Sequence, residues 1–341
     1  MSGWLYFLSS VVWAWPVQSP KDVKHDYPVE IDASQWLIPA TVDWSARPKS
    51  DLKLLAKQCR QMLTYLKAYP QSSVGMFSEL GVTPDQITAG LELVSRARPK
   101  DIENPVWWQK HFQLYWLQNP GLEEHHDRIR MTKYVVYQFD GSRTKTEEHT
   151  HALWQIDPNA SFRTRYTRQD IISGVLEKEP AAKPLAWLSL TGMFESQLQG
   201  TVEVHFKEGD SAWYNVHVSN ELPYKKGVSA KSQERYWYFR PVNAFYGWGE
   251  EEKVVIDPMV SFAGDIYNFG LGHLLWLESD KGHYVGVLAD TGGAFQPNLG
   301  QFDWFIGIVR DRAHFYERAL KLPKYSKVGF LLPRSGLSQP Q

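Results

Sequence analysis

Apolar positions change their period along this chain, and the change divides it into a helical beginning and a β-rich remainder. Leu52, Leu55, Cys59, Met62, Leu63 and Leu66 recur at helical spacing, with Pro48 and Pro70 bracketing the run. A second helix is predicted from Thr83 as N-cap, with Pro84 at the first helical position and Asp85 in the first turn; Ile87, Leu91 and Val94 face inward. The aromatic-rich stretch Pro105 to Leu117 is expected to form a third helix. From about Arg128 onward the pattern alternates or runs apolar over short stretches, as in Tyr134 to Phe139, Gly200 to Phe206 and Ser211 to Val218. Gly209-Asp210 predicts a hairpin between the last two. Helices are expected to interrupt the strands at Thr167 to Leu176 and at Arg310 to Leu320. The expected class is mainly β with N-terminal helices.

Composition narrows the function classes. The chain has 341 residues, 43% of them hydrophobic and 22% charged, with a net charge of −1. That is globular composition, long enough for about two domains. Near-neutral charge gives no reason to expect nucleic acid as a partner. No phosphate-cradling glycine loop is present. One cysteine, Cys59, excludes an intrachain disulfide and a cysteine-cluster metal site. His149 and His151 with Glu147 are a candidate metal cluster, but an exposed charged strand edge explains them better, and no metal or cofactor is assigned. The 15 Trp, 17 Tyr and 16 Phe are mostly core, with some free to stack on sugar rings. Residues 1–20 carry an apolar stretch, Gly3 to Trp15, too short to span a bilayer comfortably. It reads as a signal-peptide core, with a buried strand or an uncleaved anchor as the alternatives.

The chemistry concentrates near the C-terminus. The apolar run Val285 to Ala289 delivers Asp290 to a strand end, where Thr291, Gly292 and Gly293 follow. Asp303 sits in a second aromatic run, Phe302 to Ile308. A carboxyl in such surroundings is placed where desolvation raises its pKa, as a general acid working near neutral pH requires. Asp-Thr-Gly-Gly is also ordinary turn chemistry. Asp257 ends a third apolar run before Pro258, a position equally suited to a structural role.

These three aspartates lie in VIDP (255–258), ADTGGA (289–294) and FDWFIG (302–307), which resemble the V-D-P, A-x-D-x-G-G-A and F-D-x-x-x-G motifs of the membrane-bound lytic murein transglycosylase A family. Upstream, Met131-Thr132-Lys133-Tyr134 resembles its T-G-Y-Y segment, and Arg165 to Leu176 its T-R-x-x-I-x-x-G-x-L segment. Phe194 with Gln197 to Gly200 resembles F-x-x-Q-x-Q-G, and Asn220 with Pro223-Tyr224 resembles N-G-x-P-Y. The matches run in order over about residues 128 to 333. The resemblance implies a double-psi β-barrel with a second β domain inserted and a groove between them. Helical residues 21–127 would dock on the barrel, 128–240 would form the insert, and 241–335 the three-aspartate barrel.

The resemblance further implies cleavage of the β-1,4 bond between N-acetylmuramic acid and N-acetylglucosamine with closure of a 1,6-anhydro ring. Asp290 would be the acid then base, and Asp303 a carboxylate that orients or tunes it. Thr132, Tyr134, Gln199, Tyr224, Thr291 and Gly292 would contact substrate. The implied partners are peptidoglycan strands and cell-wall synthesis or division machinery. The implied setting is a monomer in the periplasm or at the outer membrane of a Gram-negative bacterium, without the lipid-modified cysteine of that family. Several positions depart from the pattern: Lys133 replaces a small residue, Thr201-Val202 replaces Ser-Gly, Glu221 replaces Gly, and Trp248 to Glu252 stands where the family has a glycine-rich loop. These departures keep open a second reading, a glycan-binding or scaffold protein that does not cut.

Overall fold

The computed structural model describes residues 32–40, 46–119, 127–223, 225, 228–229, 232–249, 253–292, 295 and 298–334. The apolar segment 1–20 and Tyr224 lie outside the described residues.

Thirteen strands are described. β1 is Leu37–Pro39, β2 Phe112–Leu117, β3 Ile129–Gly141, β4 His151–Gln155, β5 Lys183–Leu188, β6 Thr201–Phe206 and β7 Ser211–Ser219. β8 is Trp237–Val242, β9 Ser261–Ala263, β10 Leu274–Ser279, β11 Gly282–Asp290, β12 Gln301–Val309 and β13 Tyr325–Pro333. Six of them close on themselves: β3 pairs β13, then β10, β11, β9 and β12 follow, and β12 returns to β3. The β11–β9 and β12–β3 pairs are parallel and the other four antiparallel. Closure removes free edges from this part of the sheet. β1 and β2 extend it beyond β13. β6, β7 and β8 extend it beyond the far half of β3, and β4–β5 form a separate pair.

The 13-residue β3 is the strap between two hydrophobic clusters. Its first half lies against β12 in the barrel, and residues Tyr137 to Gly141 lie against β6. One cluster holds the barrel interior together with the N-terminal helices; the other runs from Ala152 to Phe239, and Phe139 packs on both. Trp276, Trp304, Phe262, Phe269 and Phe302 are fully buried in the first cluster, each contributing about 2–3 kcal/mol by removal from water.

The helices follow local chemistry. Leu52–Ala68 is capped by Asp51, whose carboxylate accepts from the Lys53 and Leu54 amides, and it stops before Pro70. Pro84–Arg96 starts with the expected Thr83 cap, completed by Gln86 into a capping box. The expected helix over Pro105 to Leu117 is half helix. Pro105–His111 is helical, but Phe112–Leu117 is strand β2, antiparallel to β13. Aromatic residues suit a pleated surface. Gly329 of β13 leaves room there, since a Cβ on it would lie 2.7 Å from Leu114 and 2.9 Å from Trp116. The expected helix Thr167 to Leu176 shortens to Arg168–Ile172, because Gly174 turns left-handed at φ +92° and a 3₁₀ turn follows. Leu190–Gln199 is a helix the apolar pattern did not announce. Its signals are local, Ser189 as N-cap and Gly200 at φ +77° as terminator. No described helix is long and apolar enough to cross a membrane.

Candidate active site

Asp290 is the last residue of β11, and a register irregularity positions it. Leu288 pairs with Phe262 and Asp290 with Ala263, so Ala289 is the extra residue of a bulge. Such a bulge re-aims the following side chain. Gly247 permits the close approach behind it: a Cβ there would lie 2.5 Å from the Ala289 carbonyl and 3.1 Å from Asp290 Cβ. Asp290 Oδ1 accepts the Thr291 amide at 2.8 Å. Thr291 in turn donates its hydroxyl to the Gly264 carbonyl at 2.7 Å, so that hydroxyl is committed to holding the turn.

The carboxyl is buried, with 6% of its residue surface exposed. Burial pushes it up to about 7, against opposing pulls from the Thr291 amide, the Tyr134 hydroxyl and the Lys253 ammonium; nearby Asp303 adds a small upward push. Desolvation disfavours the charged form, so this group holds a proton close to neutral pH. The Tyr134 hydroxyl approaches Asp290, yet it is buried without a well-formed hydrogen bond.

The pocket at Asp290 is lined by Tyr134, Gln199, Asn215, Phe245, Lys253 and Thr291, among others. Gln199 arrives as the last residue of the Leu190–Gln199 helix, and its Oε1 accepts the Val135 amide at 3.2 Å. The free space is about 40 Å³, close to the volume of one water molecule.

Asp303 lies elsewhere. It is fully buried on β12 and does not line this pocket. Ala263 of β9 pairs with Asp290 on one side and Asp303 on the other. The two backbones are therefore two strand spacings, about 10 Å, apart. Burial also pushes Asp303 up to about 7, tempered by Thr132, Lys133 and Arg130. Neither of its oxygens has a well-formed hydrogen bond. Thr132, its register partner, donates to the Phe302 carbonyl at 3.2 Å and accepts from Gln301 at 3.1 Å. Thr132 thus sits beside Asp303 and outside the pocket. Lys133 bonds the Met131 carbonyl at 2.8 Å and the Pro323 carbonyl, and burial lowers it to about 8. Its charge lies on the Asp303 side of the barrel.

Asp257 joins neither group. Lys57 pairs with its Oδ1 at 2.6 Å, and Gln58 accepts its amide at 2.7 Å, so it ties the Leu52–Ala68 helix to the barrel. Gly292 is buried and its carbonyl accepts from Phe295 at 3.0 Å; Gly293 lies outside the described residues. Sequence reasoning missed Lys253, Asn215 and Phe245. Lys253 donates to Asn215 Oδ1 at 2.8 Å, and Phe245 stacks on Trp213 with centroids 4.5 Å apart. Only folding joins these positions. Among the described residues no cluster of His, Cys, Asp and Glu has the arrangement of a metal site.

No protein-family model and no curated protein sequence matches the chain. Solved structures do. Escherichia coli MltA with bound chitohexaose aligns with a TM-score of 0.64 over 93% of this chain and 97% of that one, at 17% identity. The membrane-bound lytic murein transglycosylase of Agrobacterium tumefaciens gives 0.62 over 87% and 98%, at 14% identity. MltA from Neisseria gonorrhoeae gives 0.60 over 88% and 95%, at 15% identity. The chain has the MltA fold. At these identities the likeness establishes architecture, and it spans nearly the whole of each MltA chain. The mainly β class with N-terminal helices expected from the sequence is the class observed.

Proposed function

We propose that this protein is a divergent member of the MltA family and a lytic transglycosylase of peptidoglycan, with Asp290 as its single acid and base. The observation that carries the reading is a buried aspartic acid, its pKa raised by burial to about 7, in a pocket with Tyr134, Gln199 and Lys253. The MltA fold and the bound saccharide in one similar structure support the substrate class.

Ordinary glycosidases need two carboxylates. Attack by the sugar's own C6 hydroxyl needs no enzymic nucleophile, because the hydroxyl is already tethered beside C1. Asp290 gives its proton to the leaving oxygen as the bond breaks and then takes the proton of the C6 hydroxyl as the 1,6-anhydro ring closes. Asp303 acts from a distance, as a second buried carboxyl across β9. Tyr134, Gln199 and Thr291 are the substrate-contact candidates that line the pocket. Thr132 stands on the Asp303 side, and Gly292 continues the turn after Thr291.

The pocket at the acid, about 40 Å³, holds far less than a glycan strand and shares Tyr246 and Lys253 with a larger neighbouring cleft. In this reading residues 128–240 form the inserted domain, the barrel is of the double-psi kind, and the setting is the periplasm or outer membrane. Digestion of purified peptidoglycan tests the reaction. Products ending in 1,6-anhydro-N-acetylmuramic acid are expected. Products with free reducing ends would indicate hydrolysis, and undigested glycan that is still bound would indicate the non-cutting alternative.

A further inference from the structure

A second cavity, of about 870 Å³, opens between the Asp290 pocket and the N-terminal helix Leu52–Ala68. The two share Lys253 and Tyr246. Gln61 on that helix, Arg240 near the end of β8, and the segment 253–255 supply its walls. Among the described residues no Asp or Glu lines it.

Among the described residues no carboxylate forms a salt bridge with Arg240 or Lys253, and Asp290 is the acid that acts on Lys253. Arg240 Nε is buried without a hydrogen-bond partner, which is costly for a guanidinium. Lys253 is held by Asn215 Oδ1 at 2.8 Å and the Val216 carbonyl at 3.3 Å, leaving one of its three ammonium donors. Arg240 stands opposite Asn215 in the β7–β8 register, so strand pairing itself brings the two cations to one wall. His217, two residues along β7, senses both: burial first, then Arg240 and Lys253, push its imidazole down to about 4. Two like charges in a partly dry cleft repel, and an anion relieves both costs at once.

We propose that Arg240 and Lys253 form an anion subsite contiguous with the Asp290 pocket, taking a carboxylate of the peptide arm carried by peptidoglycan. The choice of peptide arm rests on the murein reading; the anion subsite does not. Arg240 presents a planar fork that matches a carboxylate in two hydrogen bonds, and Lys253 adds a point charge on the side facing Asp290. The arm's carboxylate then fixes which face of the glycan meets the acid, so the protein prefers glycan that retains its peptides.

Titration calorimetry of the full chain tests this with three probes: a glycan fragment bearing its peptide arms, the same fragment with those carboxylates methyl-esterified, and the free peptide arm. Wild type is expected to bind the acid form about tenfold more tightly than the ester, an advantage that shrinks with salt. Arg240→Gln should abolish that advantage, and Arg240→Lys should keep part of it. Equal binding of acid and ester by wild type overturns the proposal, as does an unchanged preference in folded Arg240→Gln. If the free peptide binds in an Arg240-dependent way but attached glycan adds nothing, the murein reading fails while the anion subsite stands.

Discussion

Asp303→Asn isolates the energetic cost of burying a carboxyl in the barrel wall. The group is fully buried and its pKa rises from 3.8 to about 7. At about 1.36 kcal/mol per pKa unit, the full effect is about 4 kcal/mol. For an acid with a raised folded-state pKa, the folded protein holds the proton more tightly. The associated stability is fully present below about pH 4 and disappears as pH rises through 7. Between pH 5 and pH 7.5 the loss from this one group is about 2.5 kcal/mol. Lys133, lowered to about 8, begins to titrate at the upper end of that window in both proteins. The assay is urea unfolding of wild type and Asp303→Asn at the two pH values. Asn keeps the shape and removes the titration, so the variant should lose about 2.5 kcal/mol less than wild type over the interval. It should also be the more stable protein at pH 7.5. Identical pH slopes in the two proteins would refute the reasoning, because Asp303 would then be ionised, or equally protonated, in folded and unfolded chains.

Further expectations concern the acid and its supports. If Asp290 must carry a proton to act, activity should fall as pH rises through about 7, and a pH–rate profile flat from 5 to 9 would exclude that role. Gly247→Ala drives a methyl group against the Ala289 carbonyl and Asp290 Cβ; turnover should drop by about tenfold or more, since small displacements of an acid are expensive, whereas unchanged turnover would mean the bulge does not position Asp290. Asp257→Asn weakens the bond to Lys57, which is 2.6 Å long. It should lower stability by about 1–2 kcal/mol without changing the pH dependence of turnover, and a shifted profile would place Asp257 in the chemistry.

The sequence was most legible where local physics and packing agree. Thr83, Pro84 and Gln86 specify a helix start by themselves, and that start is observed. The apolar run before Asp290 placed the acid at a strand end, and β11 ends on that residue. Phe112 to Leu117 was misread because a dense aromatic run carries no period of its own; the exposed edge of β13 decides its state. The cation at the site was invisible for a different reason. Lys253 and Arg240 are ordinary charged residues in one dimension, and only the β7–β8 pairing and the approach of the 253–255 segment make them neighbours of each other and bring Lys253 to Asp290. Thr132 illustrates the converse. Its motif suggested sugar contact, but its hydroxyl is already bonded to Phe302 and Gln301 beside the other aspartate.

The central claim is that Asp290 alone moves the protons in a non-hydrolytic cleavage of peptidoglycan. The most direct test runs wild type and Asp290→Asn in parallel on purified sacculi, reading released products by mass spectrometry and retained protein by co-sedimentation. Wild type should release anhydro-ended muropeptides, and Asp290→Asn should bind sacculi equally while its release falls by about a thousandfold or more. Anhydro products at comparable rates from both proteins would contradict the account and move the acid to another residue.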